Sequence, residues 1–202
     1  MLSVSPLDNI VVKALTSRDV HQVRDLHSKL LPVKYPPSFF LQLLLLPNRA
    51  CFIAYNRGHP SMPIGFISAA AQRPSSTTDC FTFCSPKEPS LVSAHPHDDA
   101  SLTLGPVVRL RLEILTLGVL PAYQHCGLAR HLVQCVLDNF RESCTGLSAD
   151  GTLLYANVST SNTTALKFYE RMGMTVSSDV IRNLYRTVSY GCKDAYLVMG
   201  IV

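Results

Sequence analysis

The chain has no tryptophan, only 16% charged residues, and seven cysteines that are odd in number and scattered. Each shortage excludes something. A formal net charge of +4 without a run of lysine and arginine excludes a dedicated, sequence-specific nucleic-acid binder and leaves only loose attraction to anionic surfaces or phosphates. The cysteines suggest no disulfide framework and the opening residues carry no signal-peptide pattern, so a reducing cytosolic or nuclear setting is expected. The most apolar stretch, residues 39–46, is far short of the roughly 20 residues of a membrane-spanning helix, and Pro47 ends it. It reads as a core helix. No internal repeat is present. What remains is 202 residues at 47% hydrophobic, enough for one domain with a real core.

The most informative stretch is residues 115–133, LTLGVLPAYQHCGLARHLV. A strand ends in Gly118, a short turn follows, and Gln124, Gly127 and Ala129 open a helix at the spacing Q-x-x-G-x-A. Minimal side chains at such a start leave the first amide N–H groups of the helix open to a pyrophosphate. Leu128, Leu132, Val133, Val136, Leu137 and Phe140 recur at three-and-four spacing and predict one buried helix face. Upstream, residues 107–119 alternate and then run apolar, as a half-buried strand becoming central does. Downstream, residues 153–158 read as a strand, Ser161 or Asn162 as a cap, and Ala165, Phe168 and Tyr169 as positions on a short helix.

Toward the amino end, residues 10–15 read as a strand, and Ser17 as the cap of a helix to about Leu30 with Val20, Val23, Leu26 and Leu30 inward. Pro32, Pro36 and Pro37 hold residues 31–37 as an ordered loop before a second short helix over 39–46. Residues 50–55 and 62–71 predict a hairpin. From about 72 to 106 the chain turns to Pro, Ser, Thr and Asp without periodicity, which reads as a long, partly mobile insertion with strand-like pieces at 81–83 and 91–92. It holds Cys80, Cys84, His95 and His97, whose loose spacing favours unrelated loop residues over a zinc site, so no metal is expected. Residues 175–178 and 195–202 close the sheet, with 180–189 connecting.

These motifs, in this order, resemble the GCN-five-related N-acetyltransferase (GNAT) superfamily. Its acetyl-CoA signature, Q/R-x-x-G-x-G/A, reads Gln124-His125-Cys126-Gly127-Leu128-Ala129. Its second pattern, S-N-x-x-A-x-x-F-Y-x-x-x-G-F, is matched by Ser161, Asn162, Ala165, Phe168, Tyr169, Gly173 and Met174. Leu31-Pro32-Val33-Lys34-Tyr35 is similar to the F-P-V-x-Y substrate loop of protein N-terminal acetyltransferases of the NatE and NatF catalytic types. Residues 114–121, ILTLGVLP, are similar to the NatE type, which therefore stands first and NatF second. The resemblance implies an α/β fold, a central mixed twisted sheet of about seven strands flanked by about four helices, as a single domain over residues 1–202. It implies transfer of acetyl from acetyl-CoA to the free α-amino group of protein N-termini, chiefly Met followed by a hydrophobic or varied residue. A weakly active or inactive CoA-binding subunit, and an acetyltransferase for internal lysines, stand as alternatives. Implied partners are nascent or mature N-termini, with other acetyltransferase subunits and the ribosome. NatF-type enzymes carry a membrane-binding tail after the last strand; here the sequence stops at Val202, and no membrane attachment is expected.

The resemblance also implies roles. Gln124, His125, Cys126, Gly127, Leu128 and Ala129 would hold the pyrophosphate. Leu117, Gly118 and Val119 would pair their main chain with the pantetheine, one amide there serving the oxyanion. Asn162 is helix cap or cofactor ligand, or both. Tyr169 is a proton donor to the departing thiolate or a core aromatic. Leu31, Pro32, Val33, Tyr35 and Tyr185 would line the pocket for the first residue. The tyrosine and histidine with which NatE and NatF types handle the amine proton are absent, and Glu113 and Asn157 stand in their places. Glu113 is either a base raised by a dry cleft, acting directly or through water, or a strand charge paired with Arg111. Asn157 cannot be a base, though it can hold a water.

Overall fold

The computed structural model describes residues 7–72, 110–143 and 151–202. The expected insertion beyond Gln72, with its pieces at 81–83 and 91–92 and with Cys80, Cys84, His95 and His97, lies outside the described residues, as do residues 107–109 of the expected strand. The elements run β1 (Ile10–Ala14), α1 (Val20–Leu30), α2 (Pro37–Leu45), β2 (Arg49–Asn56), β3 (His59–Gln72), β4 (Arg111–Val119), α3 (Leu128–Ser143), β5 (Leu153–Ser159), α4 (Thr163–Arg171), β6 (Thr175–Val176) and β7 (Ala195–Ile201). The seven strands form one sheet in the order β1-β2-β3-β4-β5-β7-β6. Only β4 and β5 pair in parallel; the other neighbours are antiparallel. This is the mixed sheet with four helices that the sequence predicts.

The sheet separates two apolar layers. On one side Val23 of α1 and Phe40 and Leu43 of α2 pack on Cys51, Ile53 and Tyr55 of β2. On the other, Leu128, Leu132, Val133, Val136, Leu137 and Phe140 of α3 are all buried against strand residues such as Ile64, Ile67, Leu112 and Ile114. Each such side chain contributes on the order of 2 kcal/mol by leaving water.

Two helix starts differ from the sequence reading. Ser17 is exposed and caps nothing; α1 begins at Val20 instead. The carboxylate of Asp19 accepts from the Thr16 amide at 3.2 Å, the Thr16 hydroxyl at 2.5 Å, Lys13 Nζ at 2.9 Å and Tyr55 Oη at 3.1 Å. Burial alone would raise this acid, but the hydrogen bonds from Thr16, Lys13 and Tyr55 outweigh it and hold it at about 2. Helix α2 starts two residues early because Pro37 suits its first turn, where a missing N–H costs nothing.

The decisive irregularity is in β4. Ser68 of β3 faces Thr116 while the next residue, Ala69, faces Ile114, so Leu115 is an extra residue, a β-bulge. Strict alternation would put Thr116 on the α3 side with Ile114. The bulge turns it to the α1 side, where its hydroxyl meets His27. Pairing of β4 with β5 also stops at Ile114, opposite Ala156, so from Leu115 onward the two parallel strands part.

His27 is 2% exposed, a buried residue that the periodicity of α1 did not flag. Its ring stacks on Phe66 with centroids 3.7 Å apart and meets the edges of Phe40 and Tyr35. Burial pushes its pKa down to about 4, only partly offset by its hydrogen bond to the Val23 carbonyl. A histidine depressed in the folded state binds a proton more readily when unfolded, so its stabilising contribution is complete above about 6.5 and is lost as pH falls toward about 4. That loss is expected to amount to roughly 3 kcal/mol. Urea unfolding between pH 7 and pH 4 should show it as a proton-linked slope that His27→Gln removes; an unchanged slope would mean that His27 is not held neutral.

Candidate active site

The parting of β4 from β5 opens a groove of about 900 Å³. Its floor is Leu117, Gly118 and Val119, and its sides are the start of α3 and one face of α4 along its length. Gln124 Nε2 donates to the Val119 carbonyl at 2.9 Å and closes the turn after β4. His125 and Gly127 both adopt left-handed backbone, with φ of 62° and 89°. Alternation of right- and left-handed residues turns successive N–H groups toward one side. The first bond of α3 is His131 N–H to the Gly127 carbonyl at 3.0 Å, so the amides of Leu128, Ala129 and Arg130 have no intrahelical acceptor. A Cβ built on Gly127 would meet nothing within 4 Å, so this residue leaves room at the cradle. Arg130, Lys167 and Arg171 line the same groove, and no aspartate or glutamate does among the described residues. The groove is built for a polyanion.

Gly118 serves packing as well as access. A Cβ there would lie 2.6 Å from Phe66 Cζ and 3.2 Å from Leu30 Cδ1, so the ring that supports His27 can sit under β4 only because Gly118 has no side chain.

Beside the groove lies a smaller chamber of about 90 Å³. Leu31, Pro32, Val33 and Tyr35 form one wall and Leu115, Thr116, Asn157 and Ser159 another. The loop of residues 31–37 is stitched to the late segment: Val33 bridges Val188, and the Ser189 amide donates to the Pro32 carbonyl at 2.7 Å. Tyr185 Oη donates to the Asn157 carbonyl at 2.7 Å and ties the same segment to β5. Groove and chamber share Leu31, Leu117, Asn162, Ala165 and Tyr169 as walls.

Tyr169 is 5% exposed and stands at this junction. Burial, then the neighbouring Tyr185, pushes its phenol well above the ordinary range. Tyr35 is raised for the same two reasons, and burial pushes Tyr185 up to about 12. All three therefore keep their protons at neutral pH, and Tyr185 gives its own to the bond with the Asn157 carbonyl.

The predicted residues distribute as follows. Leu31, Pro32, Val33, Tyr35, Tyr185 and Asn157 line the chamber. Leu117, Gly118, Val119, Gln124, His125, Gly127, Leu128 and Ala129 line the groove, and Tyr169 and Asn162 line both. The Asn162 side chain caps α4, accepting from the Ala165 amide at 3.0 Å. The Cys126 side chain lines neither cavity; it packs on the core and its thiol donates to the Tyr123 carbonyl at 3.0 Å, which leaves only its backbone amide for the turn. Glu113 sits before the bulge, paired with Ala70 and Tyr155, and lines neither cavity. Burial raises its carboxyl and the charge of Arg49 draws it back. Its neighbour Ile114 is the first residue of β4 on the chamber wall. Sequence reasoning missed Arg130, Lys167 and Arg171, although basic residues beside a phosphate turn were a usable signal. It also missed Thr116, Val188 and Cys192 on the chamber wall, for which no local pattern existed.

Residues 20–174 match the family described as acetyltransferase (GNAT) family. Solved structures of similar fold include Arabidopsis thaliana Naa50 in complex with a bisubstrate analogue, CoA-Ac-MVNAL, at 21% identity and TM-score 0.64, covering 96% of this chain and 99% of that one. Arabidopsis thaliana NAA60 in complex with acetyl-CoA is 20% identical at TM-score 0.67, covering 96% and 98%. Chaetomium thermophilum Naa20 in complex with a bisubstrate analogue is 18% identical at TM-score 0.63, covering 95% and 86%. At these identities the likeness establishes the fold. No curated protein sequence matches the chain significantly. With the family match running from α1 past α4 and the phosphate cradle inside it, the chain belongs to the GNAT family of acetyltransferases.

Proposed function

We propose that the chain transfers the acetyl group of acetyl-CoA to the free α-amino group of a polypeptide, chiefly one beginning with Met followed by a hydrophobic or varied residue. The observation that carries this reading is the junction: a wide basic groove and a small roofed apolar chamber meet at Leu117, Asn162 and Tyr169. Bound in the groove, acetyl-CoA supplies an activated acyl thioester. The residues fit it. The open backbone at Gly127, the amides of α3 and the charges of Arg130, Lys167 and Arg171 suit its phosphates. The unpaired edge of β4 after Ile114 offers main-chain groups to its amide-bearing arm and an N–H to the developing oxyanion.

At the chamber, Leu31, Pro32 and Val33 take the first side chain, and Tyr35 and Tyr185 flank it with protonated hydroxyls. A chamber of about 90 Å³ is small beside the roughly 300 Å³ or more of ordinary ligand pockets, which suits one residue at a chain end. Among the described residues of its wall, tyrosine and cysteine are the titratable types. Such a wall suits an amine that sheds its own proton: an α-amine has a pKa near 8, a lysine ε-amine about 10.4. Tyr169, held protonated, gives the departing thiolate a hydrogen bond and keeps its own proton, while the proton shed by the amine passes to water and the thiolate takes one from water. The similar Naa50 structure holds a CoA-peptide bisubstrate analogue, and the NatC complex was solved bound to Gag peptide and CoA, which supports a peptide acceptor. Within this reading the NatE type comes first, on residues 114–121. A cytoplasmic setting belongs to it too, in keeping with the free thiols of Cys51, Cys126, Cys135 and Cys192.

The test incubates the chain with acetyl-CoA and peptides beginning Met-Leu, Met-Lys, Ser and Ala, plus an amino-blocked peptide with an internal lysine, and locates acetyl by mass spectrometry. Acetylation confined to free Met termini is expected; lysine acetylation would overturn the substrate, and acetyl-CoA binding without transfer would favour a CoA-binding subunit. Gly127→Glu should weaken acetyl-CoA binding at least about 100-fold, because left-handed backbone disfavours a side chain and the added carboxylate faces the phosphates. Calorimetry on the folded variant measures it, and unchanged affinity would remove the cradle from the site. Glu113→Gln should keep turnover at pH 8 within about threefold, since the α-amine is then largely neutral without help; a loss of 100-fold or more is what a general base would give.

A further inference from the structure

The wall that separates β4 from β5 is held by a chain of side-chain hydrogen bonds that none of the roles above uses. His27 Nδ1 lies 2.8 Å from the Val23 carbonyl, His27 Nε2 lies 3.1 Å from Thr116 Oγ1, and Thr116 Oγ1 lies 2.5 Å from Ser68 Oγ. Exposure is 2% for His27, 4% for Thr116 and 0% for Ser68, so water cannot substitute for any partner. Chemistry fixes the direction of every bond. The Val23 carbonyl can only accept, so Nδ1 carries the ring proton and Nε2 is a lone pair. Thr116 must then donate to Nε2, and Ser68 must donate to Thr116. One helix carbonyl thus orients three side chains on α1, β4 and β3.

The location gives this chain its meaning. Thr116 and Ser68 are the strand pair immediately beside the Leu115 bulge, where the register between β3 and β4 shifts and a side-chain bond adds to the backbone pairing. Leu115, Thr116 and Leu117 are also wall residues of the chamber, and the ladder to β5 has already ended at Ile114. The other edge of the His27 ring meets Tyr35, in the loop across the chamber, with centroids 5.8 Å apart. A single buried ring therefore touches both sides of the acceptor chamber.

We infer that His27 is a positioning residue for acetyl transfer: through Thr116 and Ser68 it holds the β4 bulge at the chamber wall, and through its ring edge it holds Tyr35 opposite. It touches no substrate. The turnover it governs rests on the acetyl-transfer reading; the local rigidity of β4 does not.

Thr116→Val keeps the shape of the side chain and removes the hydroxyl, leaving His27 Nε2 without a donor, whereas Thr116→Ser keeps the hydroxyl. Losing one partner of a buried hydrogen bond corresponds to about tenfold or more in a local equilibrium. Hydrogen exchange in the peptide spanning residues 114–119 should speed up about tenfold in Thr116→Val, with β2 and the core of α3 unchanged, and Thr116→Ser should restore it. With a Met-Leu peptide and acetyl-CoA, kcat should fall about tenfold in Thr116→Val while the acetyl-CoA Kd stays within about twofold, and Thr116→Ser should recover most of it. If Thr116→Val does not fold, Ser68→Ala removes only the terminal donor and should give the same pattern at about threefold. Unchanged exchange, acceleration spread evenly over the sheet, or equal damage from Thr116→Ser would each overturn the inference. A parent chain inactive on every peptide would defeat the proposed substrate, and the exchange measurement would then decide the role of His27 alone.

Discussion

Two parallel strands that begin side by side and then separate create the whole of this site. Strand β4 stays paired with β3 along its length, so it is β5 that it leaves, after Ile114 and Ala156. A strand edge with unpaired backbone groups normally invites another chain to pair with it. Here that edge lies between the start of α3 and the length of α4 and forms the floor of a groove, where it can receive only a ligand narrow enough to enter. The bulge at Leu115 makes this possible, since it lets Thr116 turn to the α1 side while Leu117 and Val119 keep contact with the α3 layer.

Each half of the site is then made from what the strands leave exposed. The groove takes its charge from backbone geometry first: left-handed residues at His125 and Gly127 aim amides outward, and Arg130, Lys167 and Arg171 add net positive charge around them. The chamber takes its roof from segments about 150 residues apart in sequence, brought together by backbone bonds between Pro32 and Ser189 and between Val33 and Val188. Main-chain pairing tolerates side-chain change, so the wall can be apolar without losing its anchorage. The two halves meet at Tyr169, whose burial keeps its phenol protonated.

Among the described residues, buried polar side chains are few, and all but the Tyr155 hydroxyl have a hydrogen-bond partner. Asp19 gathers three donor residues at the start of α1, and His27 stands at its other end between an aromatic layer and two hydroxyls. Both give α1 fixed attachments to the sheet, one near β1 and β2 and one at β3 and β4. The loop of residues 31–37 leaves α1 one turn after His27, so the attitude of that helix sets where the chamber wall stands.

The local pattern of the chain was enough for much of this. Three-and-four spacing identified the buried face of α3, all six positions of which are in the core, and proline placement marked the loop after α1. The Q-x-x-G-x-A spacing and the S-N and F-Y pair located the groove, because a phosphate turn needs particular residues at contiguous positions. What the sequence alone could not determine was anything requiring a strand to break its own period. A period of two assigns Thr116 to the wrong face and misses the partnership with His27 across 89 residues. Cys126 likewise sits inside a motif of contiguous residues, yet its side chain turns to the core. Sequence periodicity reports which residues want to leave water; only the packed sheet decides where one inserted residue reverses the face of all that follow, since that choice rests on long-range contacts with β3 and α1.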